Sequence, residues 1–333
     1  MSGGSHQGSG GGAGRGEQSM VPSAEPQKYD SYYGRPVIKA PVWKTPDVPL
    51  YLFLGGMAGG SSLLAEGAAA TGRPGLERVA RLAAASGAMG GTVFLVHDLG
   101  RPERFLHMLR VLKPTSALSV GTYILSAFAG ASSGAAALEV TGWFPRLKRV
   151  AGLGAAATGP WLATYTAALL GNTAVPAWHE GHKELPFVFA GSGAAAAAGI
   201  GMLLAPAAEH GPAIRMALAG GTAELVASEL MERNLATGHG VDLAEPYHQG
   251  RTGRVMRAAK GLTVAGHLLT LLGLKWPWLR RLAGASYVAG SVSLRFGIFE
   301  GGKASANDPK YTVVPQKARA AARGERKQSG SLA

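Results

Sequence analysis

A chain of 333 residues that is 47% hydrophobic and only 16% charged falls well below the roughly 25% charge of an average soluble domain, which points to a bilayer. The absence of cysteine excludes disulfides, thiolate zinc sites and any iron–sulfur cluster held by the chain's own thiolates. A net charge of +13 is spread in short basic clusters between apolar runs, with no nucleic-acid module, and so favours lipid headgroups or protein partners over nucleic acid.

Residues 1–28, with SGGSHQGSGGGAGRG, hold too few apolar groups to offset the entropy of ordering and read as a disordered tail. No charged n-region, apolar h-region and cleavage site follow one another there, so no cleavage is expected. Residues 29–48, YDSYYGRPVIKAPVWKTPDV, carry four aromatics and three prolines, which suits an extended segment lying on the membrane interface or on a partner.

Crossing about 30 Å of hydrocarbon takes roughly 20 helical residues, and eight runs reach or approach that length. Run 49–70 contains one charge, Glu66, and run 79–96 begins near Arg81, placed to snorkel to the headgroups. Runs 116–138, 150–175 and 185–208 contain no Asp, Glu, Lys or Arg. The last three are more polar: 213–235 holds Glu224 and Glu229, 255–274 holds Lys260 and His267, and 282–299 holds Arg295. GGMAGG, GAMGG and GSGAAAAAGIG supply small residues for close helix contact. The last also brushes a dinucleotide fingerprint, which fails because no strand precedes it. The pattern predicts an all-α, polytopic membrane protein with both termini on one face, face A, together with loops 97–115, 176–184 and 236–254. The balance of basic residues favours a cytoplasmic face A.

An ionisable group inside a bilayer costs several kcal/mol by insertion scales and needs a partner or a role. By depth, Glu66 lies toward face B, Glu224 and His267 near the middle, and Glu229 and Arg295 toward face A. Two readings stay open: an interrupted proton relay, or a structural set in which Arg295 neutralises Glu229 and His267 is a neutral core residue. Glu66 has no evident partner among the apolar runs and leans toward function.

The fourth run places Tyr165 within hydrocarbon, on one helical face with Trp161 and Ala168 or Leu169, and Asn172 nearer face A. Its phenol suits donation to a ligand carbonyl between apolar walls, or equally a bond to a backbone carbonyl. Trp178, His179 and His182 fall at the face A interface.

Between the second and third runs stands HDLGRPERF, residues 97–105. Phe105, Met108, Leu109 and Leu112 form a stripe that predicts a short interfacial helix, and Ser116 is placed to cap the third span. Asp98 and Glu103 sit among Arg101, Arg104 and Arg110, either as a preformed network for a partner or ligand or within an ordinary snorkelling loop.

PLYLFLGGMAGGSSLL (49–64), DLGRPERFLHML (98–109), KPTSALSVGTY (113–123), TYTAALLGNTAVPAW (164–178) and SVSLRFGIFEGGKASANDPKYTVVPQ (291–316) together resemble the NrfD-type family, the membrane subunits of polysulfide reductase and related complex iron–sulfur molybdoenzymes. The resemblance implies about eight transmembrane helices in two four-helix bundles, 49–175 with the quinone site and 176–300, then a basic tail, 301–333. It implies a quinone-reactive subunit without haem or a metal of its own, working with menaquinone or ubiquinone. The implied partners are an iron–sulfur ferredoxin-like subunit and a molybdopterin oxidoreductase subunit, at the cytoplasmic membrane. The residue carried over to the quinone site is Tyr165, with Asp98, His97, Asp47 and Asn172 as further candidates there by position, and the implied docking surface is Arg101, Glu103, Arg104, Lys303 and Lys310. Glu66, Glu224, Glu229, His267 and Arg295 remain a candidate proton path. The competing reading is an ion-translocating or passive anchor with no redox reaction of its own.

Overall fold

The first long helix starts where the proline-rich lead-in ends: α1 runs Asp47–Ala70, with Asp47 placing a carboxylate at the positive end of the helix dipole. This computed structural model describes residues 37–39, 41–101 and 103–330, with side chains as far as residue 321. The expected tail 1–28, the lead-in 29–36 and residues 331–333 lie outside the described residues. Helix α2, Pro74–Leu99, begins with proline in its first turn and ends at Gly100, whose φ of 70° gives the left-handed cap that glycine adopts without strain. A short α3, Glu103–Met108, follows, so the interfacial helix expected through Leu112 stops a turn earlier. Helix α4, Ala117–Thr141, is capped as expected by the Ser116 hydroxyl, which accepts from the Ser119 amide.

Helices α5 (Pro145–Gly171), α6 (Pro176–Glu180), α7 (Leu185–Leu204), α8 (Gly211–Ala236), α9 (Glu245–His248) and α10 (Gly250–Leu272) continue the chain. The chain closes with α11, Leu279–Asn307, and α12, Lys310–Gly330. The segment expected as a tail from residue 301 is thus helical, first as the end of α11 and then as α12. Alanine, lysine and arginine dominate α12 and are good helix formers.

Packing closes two rings of four. In the first, α1 meets α2 and α5, and α4 meets α2 and α5; in the second, α7 meets α8 and α11, and α10 meets α8 and α11. The seam between them is α1 against α7, built on glycine: a Cβ at Gly60 would lie 2.8 Å from the Gly193 carbonyl oxygen. A Cβ at Gly59 would likewise strike the Gly159 carbonyl of α5. The small residues of GGMAGG and GSGAAAAAGIG therefore serve helix contact.

Five helices, α1, α2, α4, α7 and α11, are long and apolar enough to cross a membrane. Helices α5, α8 and α10, also expected to span, match them in length but are more polar. Arg146, Lys148 and Arg149 open α5, and charged residues punctuate α8 and α10.

Arg81 does not snorkel. It is 3% exposed and binds Glu66 and Glu77, both at 2.9 Å, with Glu139 at 3.7 Å. Lys148 meets Glu139 at 2.9 Å and Arg149 meets Glu66 at 2.9 Å, so three acids and three bases neutralise one another near the face B end of the first ring. Gly152 makes the space, since a Cβ there would collide with both Arg81 and Glu66.

Candidate functional site

At the face A end, the last residues before α1 fasten onto both rings. Asp47 is buried and its Oδ2 lies 2.8 Å from Nδ1 of His97, whose side chain is 71% exposed. The Lys44 amide donates to Asp98 Oδ1 at 2.9 Å, and Thr45 Oγ1 donates to Glu300 Oε1 at 2.5 Å on α11. Trp43 stacks on Trp178 at 5.7 Å, and Trp178 on Phe299 at 5.6 Å. Trp178, expected at the interface, is instead fully buried, its indole N–H donating to the Ile298 carbonyl at 2.9 Å. Gly302 leaves room for that ring, which would clash with any Cβ at that position.

Below this strap lie two phenols. The Tyr165 ring of α5 packs flat against Gly121 of α4, where a Cβ would overlap it. It is 8% exposed, and no bond from its hydroxyl to a backbone carbonyl is present among the described residues. Of the residues expected on its face, Trp161 and Ala168 point outward while Leu169 packs against the same core, and Asn172 is an exposed C-cap residue. The second phenol, Tyr51, was missed by sequence reasoning. It is fully buried one turn inward from Asp47, with its ring beside Gly91 of α2 and no partner for its hydroxyl. The signal was present in its spacing, since Asp47 and Tyr51 are four residues apart on one helical face. Tyr51 and Tyr165 share one apolar core with Leu52, Leu95, Leu125 and Phe128. A lone donor in apolar surroundings favours a ligand that brings an acceptor, because an unmet buried hydroxyl costs about 1–3 kcal/mol.

The charged loop beside this mouth is exposed at Arg101, Glu103 and Arg104. The network expected between Asp98 and these arginines does not form: Asp98 is taken by the Lys44 amide, and Arg104 donates to the Leu99 carbonyl at 3.0 Å. Lys303 is half-buried with its ammonium 5.4 Å from the centre of the Phe299 ring. Lys310 is occupied by Glu245, Nζ to Oε2 at 2.8 Å, and Tyr311 donates to the same oxygen at 2.9 Å. These two bonds hold Glu245 below the usual glutamate range, the ammonium contributing most. Burial, first, pushes the Tyr311 hydroxyl up to about 12.

The five residues considered for proton movement separate into three places. Glu66 belongs to the neutralised cluster at face B and so has the partners that the sequence did not reveal. Glu229 is half exposed on α8, pairing with Arg233 at 2.9 Å, with Lys260 at 3.8 Å, and not with Arg295. Lys260 binds the better-buried Glu232 at 2.8 Å, an acid the sequence reading passed over.

Of the other three, Glu224 and His267 are joined through Thr263, and Arg295 forms no ion pair with Glu224 among the described residues. Thr263 Oγ1 donates to Glu224 Oε1 at 2.8 Å, and the Thr263 carbonyl accepts from His267 Nδ1 at 2.9 Å. The His267 Nε2 lies 3.1 Å from the Thr222 hydroxyl and 3.2 Å from the Leu218 carbonyl, so the ring has carbonyl acceptors beside both nitrogens. Arg295 is fully buried at the seam, donating Nη2 to the Phe189 carbonyl at 2.9 Å and Nε to the Leu52 carbonyl at 3.4 Å. Glu224 Oε2, Ser228 Oγ and Arg295 Nη1 are buried without hydrogen-bond partners.

Among the described residues no group of three or more His, Asp or Glu side chains gathers as a metal site requires. No curated protein matches the chain. The family described as Polysulphide reductase, NrfD matches residues 37–216, a span that runs from the strap before α1 into the first turns of α8 and contains Asp47, Tyr51, His97 and Tyr165. This polytopic helical chain therefore belongs to the NrfD polysulphide reductase family.

Proposed function

We propose that this protein is the quinone-reactive membrane subunit of an oxidoreductase complex. It exchanges electrons between menaquinone or ubiquinone and an iron–sulfur ferredoxin-like subunit serving a molybdopterin-type enzyme. The observation that carries the reading is the Asp47–His97 pair at the mouth of the first ring, its carboxylate buried and its imidazole exposed, above Tyr165 and the buried, unpartnered hydroxyl of Tyr51. A quinone supplies a couple of two electrons and two protons and presents two carbonyl oxygens. Tyr51 and Tyr165 would hold it as donors, between apolar walls that exclude water. His97, exposed on one side and bonded to Asp47 on the other, has the connection to water that proton exchange needs. Asp47 orients the imidazole. Asp98 positions the strap through Lys44, and Asn172 stands at the edge of the same end.

Face A would be the docking surface and, by its basic residues, the cytoplasmic side. Arg101, Glu103 and Arg104 are free to meet an iron–sulfur subunit, whereas Lys303 and Lys310 act from beneath it by fixing α11 and α12.

A second reading, ion translocation, is favoured by one observation: Glu224 and Arg295 each carry an unpartnered polar atom in the interior of the second ring. Glu224, Thr263 and His267 would form a short proton path there, with Arg295 setting its electrostatics.

The test is quinone-coupled turnover of the purified complex with Tyr165→Phe and Tyr51→Phe, read beside dye-linked turnover of the partner enzyme. Loss of the first with retention of the second supports the quinone site. Unchanged quinone kinetics in both variants turns the reading to an anchor.

A further inference from the structure

The outward face of α10 carries exposed arginines with no ion pair among the described residues, two of which, Arg254 and Arg257, share a sector with its apolar stripe. Arg254 and Arg257 are exposed in the first two turns, and neither pairs with a carboxylate among the described residues. Of the neighbouring cations, Arg233 binds Glu229 and Lys260 binds Glu232, while Arg251 is exposed one turn nearer the start of the helix.

The same stripe continues down the helix. At 100° per residue, Arg254, Arg257, Gly261, Val264, Leu268 and Leu272 fall within one sector, opposite the buried positions Met256, Thr263 and Thr270. Val264, Leu268 and Leu272 are 45–58% exposed, and nothing lies within 4 Å of the place a Cβ would take at Gly261. The glycine leaves a shallow notch between the guanidinium pair and the leucines. From Arg257 to Leu268 the helix rises about 16 Å, the depth of one leaflet of a roughly 30 Å hydrocarbon core.

Paired positive heads above an apolar track one leaflet long match the shape and charge of a single molecule type. We propose that this face of α10 is a binding site for an anionic phospholipid, its phosphate between Arg254 and Arg257 and its acyl chains along Gly261, Val264 and Leu268. Charge complementarity chooses this occupant over a zwitterionic lipid, which would gain little from two unpaired guanidiniums. The apolar track chooses it over an acidic peptide.

The full chain, released gently from membranes and examined by native mass spectrometry, is expected to retain phosphatidylglycerol or cardiolipin in preference to phosphatidylcholine when all are supplied. Each basic residue near an anionic surface contributes about a factor of five, so Arg254→Gln with Arg257→Gln should weaken that retention on the order of 30-fold. Arg254→Lys with Arg257→Lys keeps the charge and should retain most of it, which separates loss of the site from loss of fold. Equal retention of all headgroups, or retention unchanged in the glutamine pair, overturns the proposal. So does a photo-crosslinker at Leu268 that captures a partner subunit instead of lipid in the assembled complex.

Discussion

His97 Nδ1 lies 2.8 Å from Asp47 Oδ2, joining the last turn of α2 to the first turn of α1 across a carboxylate that is almost wholly buried. One partner faces water and the other faces the core, so the pair connects the aqueous surface to the apolar interior of the first ring. Asp47→Asn keeps the shape but removes the charge that orients the imidazole. Quinone-coupled turnover is expected to fall by about 10²-fold or more, the scale of a lost general acid–base contribution, while the partner enzyme's dye-linked activity holds. Equal loss of both activities would mark the pair as structural.

Tyr165→Phe and Tyr51→Phe each remove one hydroxyl from the apolar core of the first ring. Neither should destabilise the subunit, and each is expected to raise the apparent quinone KM by about tenfold, the worth of one net hydrogen bond. Steady-state titration with a water-soluble quinol reads the shift, and thermal melting of the same samples shows that the fold is intact.

Arg295 carries a buried positive charge from α11 to carbonyls of α1 and α7. Arg295→Ala strips those buried carbonyls of a donor and removes a positive charge that acts on Glu224, a loss of about 1–3 kcal/mol for the acceptors left unmet. The melting temperature should drop, and adding Glu224→Gln to the variant should restore part of it. A double variant no more stable than Arg295→Ala would mean that the two residues are uncoupled.

The Glu245 contacts make the seating of α12 dependent on acid. Because Lys310 and Tyr311 hold its carboxyl below the ordinary value of 4.5, the contribution is fully present above that pH. It is lost as pH falls through the lowered value. Amide exchange in the first turns of α12 should stay slow from pH 7 to about 5 and quicken below the ordinary glutamate range. In Glu245→Gln the same amides should exchange quickly already at pH 7.

Much of the helical content was legible because a bilayer imposes a length and an apolarity that a sequence displays directly. The Ser116 cap and the glycine-lined helix contacts were legible for a local reason, since caps and small residues act within a turn or two. The site was legible in part. Tyr165, Asp47 and His97 stood out by type and position, but their arrangement did not, because the Asp47–His97 pair spans 50 positions of chain.

The sequence by itself determined an all-α polytopic membrane protein, since hydropathy and spacing are one-dimensional properties, and the resemblance of its quoted stretches pointed to the NrfD type. Only the tertiary structure decided which charges meet. Glu66 shows no evident partner among the apolar runs and finds two arginines, while Glu229, for which pairing with Arg295 was one of two open readings, binds Arg233. Partner choice among buried charges depends on which helix faces turn toward each other. That is set by contacts such as Gly60 against Gly193, far apart in the chain and close only once the rings have packed.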